Sequence, residues 1–333
     1  MCMPVPFAGD RPRVWTDIRL DPEALAILTP HADVIGGGDE GALPGSAFAI
    51  ISALVDATGS WMDLAGPALV AICRPGIGVD NIDISAASER GILVINTPDG
   101  PTESTAEHAV ALLLALAKQV VASDRRLRAD GWNRARLRGV EVRGKALGIV
   151  GFGRIGRRVA QVCGQGLLMQ VAAYDPFAPD DIFAAAGVAR VATLDALLQG
   201  SQFVSLHCAL TPETRHLIGV RELALMPPGA FLINVSRGPV VDQAALIAAL
   251  DAGRLAGAGL DVFDPEPLPG DSPLVQMPNV ILTPHMASYT TDGTRAMHDG
   301  VAAQMVQLLR GERPPHIVNA GVWPGRMAYR AIQ

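Results

Sequence analysis

Leu147-Gly148-Ile149-Val150-Gly151-Phe152-Gly153-Arg154-Ile155-Gly156 is the stretch that decides the fold of this chain. A G-x-G-x-x-G hexamer is weak evidence alone. Here an apolar strand precedes it and an amphipathic helix, with Ile155, Val159 and Val162 on one face, follows it. In that setting Gly151 permits a tight turn, Gly153 lets backbone N–H groups approach a pyrophosphate, and Gly156 lets the helix pack on the sheet. The pyrophosphate would meet the N–H groups and the positive dipole end of that helix. The next strand ends at Tyr174-Asp175-Pro176, with Asp175 lying 19 residues after Gly156. A carboxylate there accepts both ribose hydroxyls of NAD and repels the 2′-phosphate of NADP, so NAD(H) is the expected cofactor. The plain alternative is a structural βαβ turn with Asp175 as a turn residue before proline; it requires strand, turn, helix and acid to coincide by chance.

Strand-like runs continue on both sides. From residue 146 to 284 they fall at 146–150, 170–174, 203–206, 230–234, 256–260 and 280–282, with helices at 155–164, 194–199, 221–225 and 243–252 between them. Six strands with right-handed crossovers make a doubly wound dinucleotide fold. Before it, apolar runs at 14–15, 47–54, 69–73 and 92–95 alternate with helices at 21–28 and 84–90, which predicts a second parallel sheet. Residues 102–130 read as one long helix opening on the capping pattern Ser104-Thr105-Ala106-Glu107. A last helix, 292–309, belongs back against the first sheet. The expected fold class is therefore α/β with two doubly wound parallel-sheet domains: a Rossmann NAD-binding domain, 102–291, inserted into a discontinuous flavodoxin-like substrate domain, 1–101 and 292–333.

Bulk composition agrees. The 333 residues suffice for two cores, and 49% apolar against 18% charged residues describes a folded globule. A net charge of −6 argues against a nucleic-acid partner. Cys2, Cys73, Cys163 and Cys208 are scattered without a C-x-x-C pair, so they read as incidental thiols in a reducing compartment. The first residues lack the apolar segment of a secretory signal, and the longest apolar stretch, 109–117, is too short to span a bilayer. A cytoplasmic location without membrane attachment is expected.

Three polar residues follow late apolar strands and so emerge at the edge where open α/β sheets bind ligands. Arg237 lies in Asn234-Val235-Ser236-Arg237-Gly238, Glu266 in Asp264-Pro265-Glu266-Pro267, and His285 in Leu282-Thr283-Pro284-His285. Reducing a 2-keto acid requires hydride at C2, a proton for the carbonyl oxygen and a cation to hold the substrate. Histidine suits the proton transfer. A neighbouring carboxylate favours the imidazolium and fixes the ring. A guanidinium can bridge the carboxylate and keto oxygens.

With these residues in view, the chain resembles the D-2-hydroxyacid dehydrogenase family, within it the phosphoglycerate dehydrogenase-like branch. The resemblance runs from about residue 67 to 318 and rests on Gly76-Ile77-Gly78-Val79-Asp80-Asn81-Ile82-Asp83, Thr105-Ala106-Glu107, the glycine fingerprint and the three segments above. It implies Arg237 as the substrate-binding and catalytic cation, Glu266 as the histidine's partner, and His285 as general acid/base. It also implies backbone N–H groups of Ile77 and Gly78 around the substrate carboxylate, in a nest that Gly76 makes possible. Arg154 and Ile155 would contact the pyrophosphate and Asp175 the ribose. Thr105, His207, Asn234, Val235, Ser236 and Ser288 would line the cofactor, and Asp261 would sit near the nicotinamide amide. Arg74 matches an arginine that phosphoglycerate dehydrogenases place near a substrate phosphate, which tilts the expected substrate towards an anionic three-carbon acid; glyoxylate and hydroxypyruvate stay open. Ala209 stands where the family usually has proline, and Pro75 where a small residue is usual. The regulatory domains appended to some relatives have no counterpart here. A homodimer using the helix from Thr102 and the segment 134–143 is implied, as is closure of the cofactor and substrate sites against water.

Singly, each site residue has an ordinary reading as a surface arginine, a solvated acid or a loop histidine. His31, His216, His298 and His316 belong to no constellation and read as structural or exposed. His108, beside Glu107 on the long helix, reads as packing. Asp80 and Asp83 fit structural hydrogen bonds better than a metal site, and no metal is expected. Gly36-Gly37-Gly38 is a turn. A different class, an NAD(H)-sensing corepressor-like binding protein, is the competing hypothesis, since that fold can keep the same three residues without turnover. Formate dehydrogenase is disfavoured by Glu266, because those enzymes pair the histidine with glutamine.

Overall fold

Parallel strands with a helix on each crossover must bury both sheet faces, and the strand sequences obey this. The structure, a computed structural model, describes residues 11–36, 47–132 and 137–323. Two of the motifs read above, Gly37-Gly38 and part of 134–143, lie outside the described residues, as does Cys2. Contacts gather into two units, one formed by the segments up to Pro101 and from Thr290, the other by Thr102–Tyr289.

In the first unit, β1 (Arg13–Thr16), β2 (Asp33–Gly36), β3 (Ala49–Ile51), β4 (Ala71–Arg74) and β5 (Leu93–Asn96) form one sheet in the order β2-β1-β3-β4-β5. All pairings are parallel, which gives the flavodoxin-like order. Successive side chains point to opposite faces. Thus Ile51, Cys73 and Ile95 pack with Leu28 of helix Pro22–Leu28 and with Val301, Ala302 and Met305 of helix Thr291–Leu309. Ile50, Ile72 and Val94 pack on the other side with Met62 and Ala65 of helix Gly59–Ala65 and with Ala86 and Ala87 of helix Ile84–Glu89. Asp83 caps that last helix, its Oδ1 accepting the Ala86 N–H at 2.9 Å. His298 is buried here, with Nδ1 3.1 Å from Asp21 Oδ2.

The second unit holds β6 (Ala146–Val150), β7 (Gln170–Tyr174), β8 (Ala189–Arg190), β9 (Phe203–Leu206), β10 (Ala230–Asn234), β11 (Leu255–Leu260) and β12 (Val280–Leu282). Their order is β12-β11-β10-β9-β6-β7-β8, again parallel throughout. The chain reverses direction across the sheet at β6, which pairs with β7 on one side and β9 on the other. The crevice at the carboxyl ends of β6 and β9 is the switch point where this fold binds dinucleotides.

Three differences from the sequence reading have physical causes. The expected six-stranded sheet has a seventh strand, β8, whose two residues are both exposed and show no apolar pattern. The expected single helix over 102–130 is two, Thr102–Lys118 and Val120–Asp130, bent by 55°. Gln119 takes φ 58° at the break, and the N–H of Val140 claims the carbonyl of Ala117 at 2.7 Å, ending the helical ladder there. The helix also begins at Thr102, so Ser104 lies inside its first turn rather than capping it. In the first unit, β2 and helix Gly59–Ala65 escaped the periodicity because β2 has no fully buried residue and the helix buries only Met62 and Ala65, which leaves little apolar pattern to read. Among the described residues, no single helix is long and apolar enough to cross a membrane.

Candidate active site

The glycine loop has the shape a dinucleotide requires. Gly151 has φ +90°, and a Cβ there would lie 2.5 Å from Cys208 N and 2.7 Å from His207 C, so β6 and β9 close on each other only because it is glycine. A Cβ on Gly156 would lie 2.2 Å from the carbonyl oxygen of Gly151, which fixes helix Arg154–Gln161 against the turn. At Gly153, by contrast, a Cβ would meet no atom within 4 Å. That open position sits at the N-cap of the helix, and no side chain caps it. An N-terminus left this way, beside open space, fits a pyrophosphate.

Asp175 is held by the loop it serves. Its Oδ2 accepts the N–H of Phe152 at 2.8 Å, and its Oδ1 accepts those of Phe177 and Ala178 at 2.9 and 3.1 Å. The carboxylate is thereby fixed at the end of β7, and Oδ2, which accepts one amide only, keeps a lone pair for a ribose hydroxyl. Next to the turn, burial pushes the His207 imidazole down to about 3. Its Nε2 lies 2.8 Å from Ser205 Oγ, and its buried Nδ1 has no partner among the described residues. Burial favours the neutral ring, which suits His207 less well than an exposed imidazole to carrying the proton. Thr105, Asn234, Val235 and Ser236 are buried, and Ser288 is partly buried. Arg154 is exposed and Ile155 half-buried at the helix start.

The three candidate chemical groups converge at the carboxyl ends of β10, β11 and β12. Asn234 closes the first loop: its Oδ1 accepts Ser236 N–H at 3.0 Å and Oγ–H at 2.8 Å, and its Nδ2 donates to the carbonyl of Arg237 at 2.9 Å. Gly238 follows, and a Cβ there would lie 1.7 Å from the carbonyl oxygen of Phe263. This contact seats the Arg237 loop on the Glu266 loop. Glu266 accepts Phe263 N–H at 2.9 Å through Oε1 and pairs with His285 Nδ1 at 2.8 Å through Oε2. Half-burial alone would push the Glu266 carboxyl up. The bonds from His285 and Phe263, with the charges of His285 and Arg237, outweigh it and hold the group below its ordinary value. Because Nδ1 is taken, the ring presents Nε2, which has no partner among the described residues. His285 itself has φ +50°, a left-handed backbone that a non-glycine residue adopts only when its surroundings impose it.

Asp261 imposes it. This residue has no exposed surface, and the sequence reading placed it against the cofactor amide. Its carboxylate serves the turn that follows β12. Oδ1 accepts the Thr283 hydroxyl at 2.6 Å and Met286 N–H at 2.9 Å, Oδ2 accepts Ala287 N–H at 2.8 Å, and its carbonyl accepts His285 N–H at 2.8 Å. Sequence reasoning missed the residue behind this set. His108 Nε2 lies 2.9 Å from Thr283 Oγ1 and 3.5 Å from Asp261 Oδ1.

In the first unit, the loop after β4 has its carbonyls bound and two amides open. Gly76, with φ +137°, accepts Thr97 N–H at 2.9 Å, Ile77 accepts Asn96 Nδ2 at 2.8 Å, and Gly78 accepts Arg74 Nε at 3.2 Å. The N–H groups of Ile77 and Gly78 find no acceptor among the described residues. Arg74 also donates to the Ala53 carbonyl at 2.7 Å, so its guanidinium braces two loops. Burial pushes the Cys73 and Cys163 thiols up to about 12 and Cys208 to about 11, which leaves all three unreactive. Among the described residues, no group of three His, Cys, Asp or Glu is placed to hold a metal ion.

Comparison with known proteins gives concordant matches. Residues 110–287 match the family described as D-isomer specific 2-hydroxyacid dehydrogenase, NAD binding domain. A glyoxylate reductase of Korarchaeum cryptofilum is 45% identical over 94% of this chain and 97% of its own length. A D-3-phosphoglycerate dehydrogenase of Methanocaldococcus jannaschii is 41% identical over 75% of this chain, but the match spans only 48% of that protein. The crystal structure of an NADPH-dependent glyoxylate/hydroxypyruvate reductase from Sinorhizobium meliloti, in complex with NADP and malonate, superposes with a TM-score of 0.83. It is 30% identical and covers 93% of this chain and 97% of that one.

Proposed function

The chain belongs to the D-isomer-specific 2-hydroxyacid dehydrogenase family, and from that premise we propose that it reduces glyoxylate or hydroxypyruvate to the D-2-hydroxy acid with NADH. The observation that carries the chemistry is the His285–Glu266 pair at 2.8 Å, with Nε2 of the ring open and the charge of Arg237 near enough to act on Glu266. When bound, the nicotinamide supplies a hydride to C2 of the substrate. His285 Nε2 gives its proton to the carbonyl oxygen, and Glu266 stabilises the imidazolium that donates it. Arg237 holds the substrate and polarises the carbonyl. In the reverse direction the same ring accepts the hydroxyl proton.

Cofactor contacts are assigned to Gly151, Gly153, Arg154, Ile155 and Gly156 for the pyrophosphate and to Asp175 for the ribose, which favours NADH over NADPH. Thr105, His207, Asn234, Val235, Ser236 and Ser288 line the remainder, and Asp261 acts through the turn that it anchors. In the first unit, the adjacent N–H groups of Ile77 and Gly78, with Gly76 setting the turn, form a small anion nest suited to a substrate carboxylate. Arg74 donates to the carbonyls of Ala53 and Gly78 through Nη1 and Nε. The 45% identity to a glyoxylate reductase over nearly its whole length supports an unphosphorylated substrate.

We place the protein in the cytoplasm as a homodimer. Helix Val120–Asp130 has no buried residue, and 11 residues are too few to hold a helix alone in water. Exposed Val120, Leu127 and Trp132 suit cover by a second copy, which sedimentation would detect. The deciding experiment is steady-state kinetics with glyoxylate, hydroxypyruvate and phosphohydroxypyruvate, each with NADH and NADPH. Turnover of the first two with NADH is expected to exceed that of the third. NADH binding without turnover of any keto acid would overturn the enzymatic reading in favour of a cofactor-sensing protein.

A further inference from the structure

His285 occupies a backbone conformation unfavourable for its type, and the side-chain bonds that hold its turn lead to one buried carboxylate. Asp261 is fully enclosed and acts as an acceptor three times over, towards Thr283, Met286 and Ala287. The Thr283 hydroxyl has a single proton, and at 2.6 Å that proton goes to Asp261 Oδ1. Thr283 Oγ1 must then accept from its other neighbour, His108 Nε2, at 2.9 Å. This fixes the proton on Nε2 of His108 and sets a one-way chain: His108 donates to Thr283, Thr283 donates to Asp261, and Asp261 receives the amides on either side of residue 286. His108 stands on helix Thr102–Lys118, one turn after Thr105, and is anchored by a helix whose apolar face lies in the core of the same unit. The chain therefore connects a rigid element to the turn that carries the proton donor.

We propose that His108 is a positioning residue for the reaction: through Thr283 and Asp261 it holds the left-handed turn at His285, and with it the line-up of His285 with Glu266. Hydrogen-bond chains of this kind lose their effect when one member stops donating, because the next hydroxyl is free to rotate. The inference rests on the proposed role of His285, so its test includes a readout that does not depend on turnover. His108→Leu removes the donor, His108→Gln restores an N–H at nearly the same reach, and Thr283→Val cuts the chain one link later.

In the wild-type protein, the His285 ring resonances, assigned by their loss in His285→Ala, report the pairing with Glu266. His108→Leu and Thr283→Val are expected to move those resonances and to lower kcat by ~10- to 100-fold, the range expected for a misplaced catalytic group. NADH affinity should stay as it is. His108→Gln should return both signals towards wild type, and the Leu/Val double variant should be no worse than either single one. Unmoved His285 resonances in a folded His108→Leu protein would overturn the proposal. So would a glutamine variant as impaired as the leucine one, or additive losses in the double variant. If wild type binds NADH and turns over no keto acid, the enzymatic reading fails, and the resonances still decide whether His108 sets the turn.

Discussion

Replacing Glu266 with glutamine isolates the worth of one charge. The side chain keeps its length and an oxygen that can still meet the Phe263 N–H, but it no longer offers a carboxylate to His285 Nδ1 at 2.8 Å. A hydrogen bond to a charged group contributes about 1.5–3 kcal/mol. The two side chains are 49% and 35% exposed, so water screens the pair and reduces that worth to about 1–2 kcal/mol. At ~1.4 kcal/mol per factor of ten, Glu266→Gln should lower kcat about 5- to 30-fold. Loss of the general acid itself in His285→Ala should cost ~100- to 10,000-fold. Stopped-flow and steady-state rates with NADH and the best keto acid would separate the two variants, and fluorescence titration should show NADH bound equally by both. A Glu266→Gln rate within about twofold of wild type would refute an orienting role for the carboxylate, given the size expected of a screened charged bond. A loss equal to that of His285→Ala would show Glu266 to be the proton carrier.

Further outcomes follow from the same geometry. Gly156→Ala drives a Cβ to 2.2 Å from a backbone oxygen and should destabilise the fold by about 1–3 kcal/mol, read by denaturant titration. Gly153→Ala meets no atom within 4 Å, so thermal unfolding should hardly change while NADH affinity falls about tenfold or more, the worth of one lost N–H contact to an anion. Asp175→Ala should raise the NADPH-to-NADH ratio of kcat/KM by about tenfold or more, since a like-charge contact costs several kcal/mol, and it should lower stability by freeing three backbone amides. Glu266 has its carboxyl group held below the ordinary value in the folded state, so its contribution to stability is complete above the unfolded-state pKa and is lost as pH falls through the lower, folded-state one. Acid unfolding of wild type and Glu266→Gln should therefore converge at low pH and diverge towards neutrality.

The two-sheet architecture could be read because long apolar strands and a glycine fingerprint are local signals. Val150 through Gly156 carry strand, turn and helix start in one glance. The convergence of Arg237, Glu266 and His285 could be anticipated from a topological rule, since each follows a strand of the same parallel sheet. What escaped lacks a local signature. Ala189-Arg190 is a strand only because it pairs with Ala172-Ala173 at the sheet edge. Gln119 breaks a helix that composition would continue, because Val140 returns to take the carbonyl of Ala117. His108 and Thr283 are 175 positions apart, and no spacing rule joins a helix residue beside a glutamate to a threonine before a proline. The one available hint was Asp261, an acid placed straight after a fully apolar strand. For Arg74, whose type and place suggest a substrate phosphate, the structure adds what spacing does not show: its Nε and Nη1 brace the carbonyls of Gly78 and Ala53.

The sheet of the first unit takes one of its two covering layers from helix Thr291–Leu309, encoded after the whole of the second unit. On the ribosome, β1 to β5 emerge with Ile51, Cys73 and Ile95 still awaiting Val301, Ala302 and Met305. The inserted unit has every strand and helix of its core between Thr102 and Tyr289, so it can mature first, while its host waits as an exposed half-sandwich. Translation stalled shortly after Tyr289 would leave a finished nucleotide fold tethered to an unfinished one, the species on which chaperones and proteases would act.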